Sequence, residues 1–119
     1  MNGKEGSVMR ILFAAPDRDL LECYKKLLEE DIGETVTAFD GTQVVFLLSN
    51  EPFDIVILDR AIPRIGYKKL TDLIHGKGIP VILLSDGNKP DETDSDACLT
   101  YPFAPENIEN VIRNVLKGD

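Results

Sequence analysis

The stretch that decides the fold is DIVILDRAIPR, residues 54–64. Its apolar residues 55–58 follow one another without alternation and end at a single carboxylate, Asp59. Such a run is typical of a strand that is buried on both faces, as in a parallel sheet covered by helices. Because open α/β folds bind their ligands at the carboxyl ends of the strands, Asp59 is the first candidate site residue.

Apolar runs of strand length alternate with amphipathic helical patterns along the rest of the chain. Strands are predicted at 8–15, 34–39, 54–58, 79–85 and 97–103, and helices at 17–31, 40–50, 67–76 and 105–118. This order predicts an α/β fold with a doubly wound, five-stranded parallel sheet. Residues 86–96 carry acids and turn formers but no apolar stripe, so we expect the fourth helix to be shortened or missing.

Composition limits the class of protein. The 119 residues fit one domain, with 43% hydrophobic and 29% charged residues, and we expect 1–8 to be a flexible extension and 9–119 the folded unit. The net charge of -8 argues against binding to nucleic acid or an anionic membrane. Without a signal-like or membrane-spanning run, a cytoplasmic location is expected. Cys23 and Cys98 lie in apolar segments, and we expect both to be buried.

From about residue 9 to 118 the chain resembles the receiver domain of bacterial response regulators. The pattern ILDxxxP, a hydroxyl at the end of VILLS and the tripeptide YPF carry the resemblance, at residues Ile57, Leu58, Asp59, Pro63, Ser85 and 101–103. Each motif is weak alone, but their order and spacing together are specific. The resemblance implies a flavodoxin-like fold and a role in two-component, phosphorelay signal transduction.

The family transfers a phosphoryl group to the aspartate of the third strand, which is Asp59 here. It uses Mg²⁺ held by an acidic pair after the first strand, a hydroxyl after the fourth and a lysine after the fifth. In this chain the resemblance assigns these positions to Ala15 with Pro16, Ser85 and Tyr101. Neither Ala15 nor Pro16 has a side-chain oxygen, and a phenol carries no positive charge at neutral pH. We therefore expect no metal or other cofactor, with Asp17 and Asp59 as the ligands if Mg²⁺ binds at all.

Three functions follow from these substitutions. The first, which we favour, is a degenerate receiver that is not an enzyme and acts as a phosphorylation-independent interaction module, with Tyr101 hydrogen-bonded to Asp59. The second is a working receiver, phosphorylated at Asp59 by a histidine kinase, with Asp17 replacing the acidic pair. The third is a small α/β ligand-binding protein or enzyme, which the loop APDRD disfavours because it has no glycine-rich turn.

The loop after the third strand is the candidate partner surface, and the first helix, with Tyr24, Lys25 and Lys26, is the other intact surface. Because residues 86–96 are too few to rebuild the fourth helix, the family's usual partner face is expected to be incomplete. The loop combines basic, apolar and aromatic side chains, namely Arg60, Ile62, Arg64, Ile65 and Tyr67. The alternative is that its apolar residues fold over the pocket while the arginines pair with surface acids. The expected partner is a histidine kinase or an output domain, and a homodimer is also open.

Overall fold

The computed structural model describes residues 9–86 and 95–117. This part of the chain contains five strands and four helices, which we number in chain order. They are β1 (Met9–Ala14), α1 (Arg18–Asp31), β2 (Gly33–Ala38), α2 (Gly41–Asn50), β3 (Ile55–Asp59), α3 (Tyr67–Gly76), β4 (Val81–Ser85), β5 (Ala97–Thr100) and α4 (Pro105–Lys117). The predicted extension 1–8 lies outside the described residues.

All five strands are parallel and lie in the order β2-β1-β3-β4-β5. The predicted doubly wound, flavodoxin-like fold is therefore confirmed. Every residue of β3 and β4 is buried, which accounts for their unbroken apolar runs. The register places Asp59 beside Leu84, so the carboxyl end of β3 lies next to the end of β4.

Two hydrophobic cores lie on opposite faces of the sheet. Val44 of α2 and Leu70 of α3 pack on one face against Val56, while α1 and α4 cover the other face. There, Leu28 and Ile108 pack against residues that include Phe13, Ile57 and Ile82. In the described part of the chain, no helix has the length and apolar character needed to cross a membrane.

Side-chain caps fix the starts of the first two helices. One carboxylate oxygen of Asp17 accepts hydrogen bonds from the backbone N–H groups of Asp19 and Leu20, at 3.0 and 3.2 Å. Asp40 caps α2 by accepting from the N–H of Gln43 at 2.8 Å. These carboxylates satisfy amide groups that have no partner inside a helix.

The connection between β4 and β5 contains no helix among its described residues, 86, 95 and 96; residues 87–94 lie outside the described chain. Asp96 holds the start of β5. Its Oδ2 accepts a hydrogen bond from the N–H of Val81 at 2.8 Å and lies 2.8 Å from Nε2 of His75. His75 therefore joins the end of α3 to the start of β5.

The prediction that both cysteines are buried is wrong, since Cys23 and Cys98 are exposed. Cys23 lies on the outer side of α1, next to the apolar stripe rather than in it. On β5, Ala97 and Leu99 pack towards the core beneath α4, and Cys98, between them in sequence, points to the opposite face. β5 also ends at Thr100, three residues before its predicted end, and is an edge strand.

The loop after β3 packs tightly on the start of α2. The N–H of Gly41 donates to the carbonyl of Pro63 at 2.9 Å. A Cβ atom at position 41 would lie 2.6 Å from Cβ of Ile65 and 2.9 Å from its backbone nitrogen. Glycine is thus required here because the loop backbone leaves no room for a side chain.

We expect Gly41→Ala to lower the free energy of unfolding by about 1–3 kcal/mol, because the added methyl group overpacks this contact. Gly76→Ala is the matched control. A Cβ atom there meets no atom within 4 Å, so alanine in the last turn of α3 should stabilise by about 0.5–1 kcal/mol. Urea unfolding of both variants measures the difference, and equal effects would contradict the close packing of the loop.

Candidate functional site

Asp59 lies at the carboxyl end of β3 with its side chain largely enclosed, at 9% relative exposure. Each carboxylate oxygen holds a hydrogen bond. Oδ1 accepts from the N–H of Ala61 at 2.7 Å, and Oδ2 accepts from the hydroxyl of Tyr101 at 2.7 Å. The predicted contact between Tyr101 and Asp59 is confirmed, and two neutral donors compensate the charge of a carboxylate that has lost much of its hydration.

An aromatic column holds the phenol of Tyr101 in place. Its ring stacks on Phe103 with 5.0 Å between centroids, and Phe103 packs against Tyr24 of α1 at 5.6 Å. The column continues from Tyr24 to Phe13 of β1 at 5.8 Å. Burial, followed by the hydrogen bond to Asp59 and its charge, raises the pKa of Tyr101. The phenol is thus kept in the protonated form that can donate to Asp59.

The end of β1 has no pair of free carboxylates. Ala15 is fully buried and its N–H donates to the carbonyl of Ala38, while Pro16 is exposed. The nearest acid in sequence, Asp17, uses its Oδ1 to cap α1. The carboxylate that the second hypothesis assigns to a metal therefore already has a structural role.

A Mg²⁺ ion requires near-octahedral oxygen ligands, which the family supplies from its acidic pair and phosphoacceptor. Within the described ranges, 9–86 and 95–117, no group of three or more His, Cys, Asp or Glu side chains has an arrangement that could hold a metal ion. The side chains of Ala15 and Pro16 offer no ligand atom. This donor set does not fit the family's metal.

A small pocket of about 240 Å³ opens beside Asp59, lined by Asp59, Arg60, Ala61 and Asp86. From the sequence, Asp86 was not predicted to line this pocket. The available signal was its position directly after Ser85, at the carboxyl end of β4. Ser85 itself is buried, and its carbonyl accepts from the N–H of Tyr101 at 2.8 Å. The pocket thus combines two carboxylates with one guanidinium group.

The apolar residues of the candidate partner surface turn inward. Ile62 is only 5% exposed and belongs to the core, so its assignment to an exposed surface is wrong. The side chains of Ile65 and Tyr67 are partly buried against the same core, because the short loop folds down onto α2 and α3. Arg64 is exposed, with Nε 3.4 Å from Oδ2 of Asp40, and Arg60 lies 5.9 Å from the centre of the Tyr67 ring.

Comparisons with known proteins agree with this fold. No protein-family model matches the chain. The response regulator GtcR of Aneurinibacillus migulanus is 28% identical over 110 residues, which are 87% of this chain and 45% of that protein. A probable transcriptional regulator, ycf27 of Galdieria sulphuraria, is 34% identical over 91 residues, which are 71% of this chain and 36% of that protein. The chain thus spans less than half the length of these curated relatives.

Among solved structures, the signal receiver domain of a signal transduction histidine kinase from Syntrophus aciditrophicus superposes with a TM-score of 0.85. It is 26% identical, and the alignment covers 93% of this chain and 92% of that one. The parallel sheet, the aspartate at the end of β3 and these relatives together define the class. The chain belongs to the receiver domains of two-component response regulators.

We expect Tyr101→Phe to lower the free energy of unfolding at neutral pH by about 1–3 kcal/mol, because Asp59 loses a donor in a buried site. Because the pKa of Tyr101 is raised in the folded protein, the stabilisation that its hydroxyl provides depends on pH. Above about pH 10 the phenol ionises in the unfolded chain but not in the folded one, so wild-type stability falls as the pH rises. Tyr101→Phe has no phenol at this position, so this loss of stability with rising pH is absent from the variant.

The difference between the two proteins should therefore shrink between about pH 9 and pH 11. Urea unfolding at a series of pH values measures it. Tyr67→Phe is the control, since it removes a phenol that has no assigned contact with Asp59. A constant difference for Tyr101→Phe across this range would contradict the donor role of its hydroxyl.

Proposed function

We propose that this domain is a degenerate receiver, which binds a signalling partner without being phosphorylated and catalyses no phosphoryl transfer. The observation that carries the proposal is the hydrogen bond between Tyr101 and Asp59, at the position where the family has a lysine. The carboxylate accepts hydrogen bonds from two neutral donors, one on each oxygen. The pocket therefore has the geometry of a receiver without the charges that its chemistry needs.

Phosphoryl transfer depends on neutralising the charge of the incoming group and holding it in line with the nucleophile. Loss of one preorganised electrostatic contact costs about 3–4 kcal/mol in a transition state. This chain lacks both the acidic pair that binds the metal and the lysine. Asp86 adds a second carboxylate to the pocket lining, which further disfavours an anionic phosphoryl donor. Together these differences support a rate of phosphorylation lower by orders of magnitude.

One observation favours the second candidate, a working receiver phosphorylated at Asp59 by a histidine kinase. Asp59 lines an accessible pocket together with Arg60, whose guanidinium group could offset part of the phosphoryl charge. We favour the degenerate receiver because Asp17, the remaining acid after β1, is used as a helix cap. The two candidates make opposite predictions about modification of Asp59.

The partner is proposed to be a histidine kinase or an output domain, as expected for a receiver. The polar rim of the loop after β3, defined as Arg60 and Arg64, is the candidate contact. Arg64 is 70% exposed along its side chain. Arginine is enriched where interfaces contact acidic groups, and two arginines stand out on a chain with a net charge of -8. Such a contact would not depend on a phosphorylated Asp59.

We expect the wild-type domain to acquire no phosphoryl group from acetyl phosphate and Mg²⁺, because the charges that stabilise the transition state are missing. Intact-mass spectrometry measures the modification, with Asp59→Asn as the control for the site. An adduct that is present in wild type and lost in Asp59→Asn would establish the working receiver instead.

Restoring the missing groups tests the same reasoning in the opposite direction. We expect Ala15→Asp with Pro16→Asp to create Mg²⁺ affinity, measured by calorimetry, and the further change Tyr101→Lys to permit phosphorylation by acetyl phosphate. The matched control is the single variant Tyr101→Lys, which supplies the cation without the metal ligands. Tight Mg²⁺ binding by the wild-type domain, abolished by Asp17→Asn, would contradict the proposed loss of the metal site.

A further inference from the structure

β2 is an edge strand, and every second residue presents its backbone N–H and C=O groups to the outer edge of the sheet. The carbonyl of Ala38 accepts a hydrogen bond from Ala15, so Ala38 points towards β1. Because successive residues of a strand alternate in the side to which they present N–H and C=O, Gly33, Thr35 and Thr37 present these groups to the outer edge. An edge of this kind can pair with a strand of another chain.

Side chains of α1 occupy this edge at its centre. Lys25 donates from Nζ to the carbonyl of Thr35 at 2.9 Å, and Glu29 accepts from the N–H of Thr35 through Oε2 at 3.4 Å. The two side chains also pair with each other at 2.8 Å, four residues apart on the helix. The hydroxyl of Thr35 in turn donates to the carbonyl of Gly33 at 3.3 Å. Three outward-pointing backbone groups are thereby satisfied within the chain.

We propose that the outer edge of β2 is a self-association surface that Lys25 and Glu29 keep closed to a second copy of this chain. A donor lies opposite the carbonyl of Thr35 and an acceptor opposite its N–H, which matches what a neighbouring strand would supply. The contact with Lys25, followed by that with the N–H of Thr35, lowers the pKa of Glu29 and so maintains the acceptor. The side chains of Lys25 and Glu29 are both about 40% exposed, so a specific contact is needed to hold them in one conformation on the strand edge.

A second copy is the fitting occupant because an edge can pair antiparallel with itself about a two-fold axis, each copy offering the same residues. The segment GETVTA is six residues long and includes β-branched Thr35, Val36 and Thr37, which favour strand pairing. Beyond the closed part, Thr37 lines a groove of about 610 Å³ beside Phe46, whose side chain is 65% exposed. Pairing of two edges would extend towards this groove and cover the exposed ring of Phe46.

The experiment compares Lys25→Ala/Glu29→Ala with wild type and with Lys26→Ala/Glu30→Ala. Each double variant removes one positive and one negative charge from α1, so the net charge stays at -8. Alanine has the highest helix propensity, which favours retention of α1, and circular dichroism checks this. Sedimentation equilibrium should show dimerisation at least tenfold tighter for Lys25→Ala/Glu29→Ala, and no change for the control.

Amide chemical shifts distinguish pairing of the β2 edges from non-specific association. On raising the concentration of Lys25→Ala/Glu29→Ala, the amides of Gly33, Thr35 and Thr37 should shift more than those of Glu34 and Val36. Equal association of all three proteins, or association without this alternation, would overturn the proposal. If the double variant is unfolded, the single variants Lys25→Ala and Glu29→Ala take its place. Each should associate more tightly than wild type, and unchanged association in both would equally overturn the proposal.

Discussion

The hydrogen bond from Tyr101 to Asp59 joins the sequence, the fold and the proposed function. A carboxylate at the end of a fully buried strand has lost most of its hydration, so it needs donors or a counter-charge. In this chain a neutral phenol donates to that carboxylate, and we propose that it stands where the family has an ammonium group. The aromatic column through Phe103 and Tyr24 fixes that phenol to α1. The site is therefore part of the hydrophobic packing between the sheet and its helices rather than a separate electrostatic centre.

Two of the connections that flank the site are each fixed by a specific contact. The short loop after β3 approaches α2 so closely that only glycine fits at position 41. The connection into β5 ends at Asp96, which is tied to Val81 and His75. The first contact ties the loop to the start of α2, and the second fixes the start of β5. The contacts of Asp96 act on β5, the strand that leads into Tyr101.

Most of the fold could be predicted from the sequence because continuous apolar strands and one-faced helices follow directly from burial. The contact between Tyr101 and Asp59 followed from the shared edge and the need of a buried carboxylate for donors. The orientation of Ile62 and Cys98 could not be predicted, since it depends on how a loop folds and on which face of an edge strand is covered. The exposure of Cys23 follows from helical spacing, which places it outside the apolar stripe of α1. Asp86 was missed because its position at the carboxyl end of β4, which was the available signal, was outweighed by the other acids of the segment that follows.

The two exposed thiols have a practical consequence. Cys23 lies on α1, and Cys98 points to the face of the sheet opposite that helix, so the natural chain carries two attachment points for spectroscopic labels on its two faces. Burial raises the pKa of Cys98, although the charge of Arg60 opposes this, so its reactive thiolate is scarce at neutral pH. Labels can be directed to Cys98 once Cys23 has been replaced by serine. A spin label or fluorophore placed there reports on β5, the strand that leads directly into Tyr101.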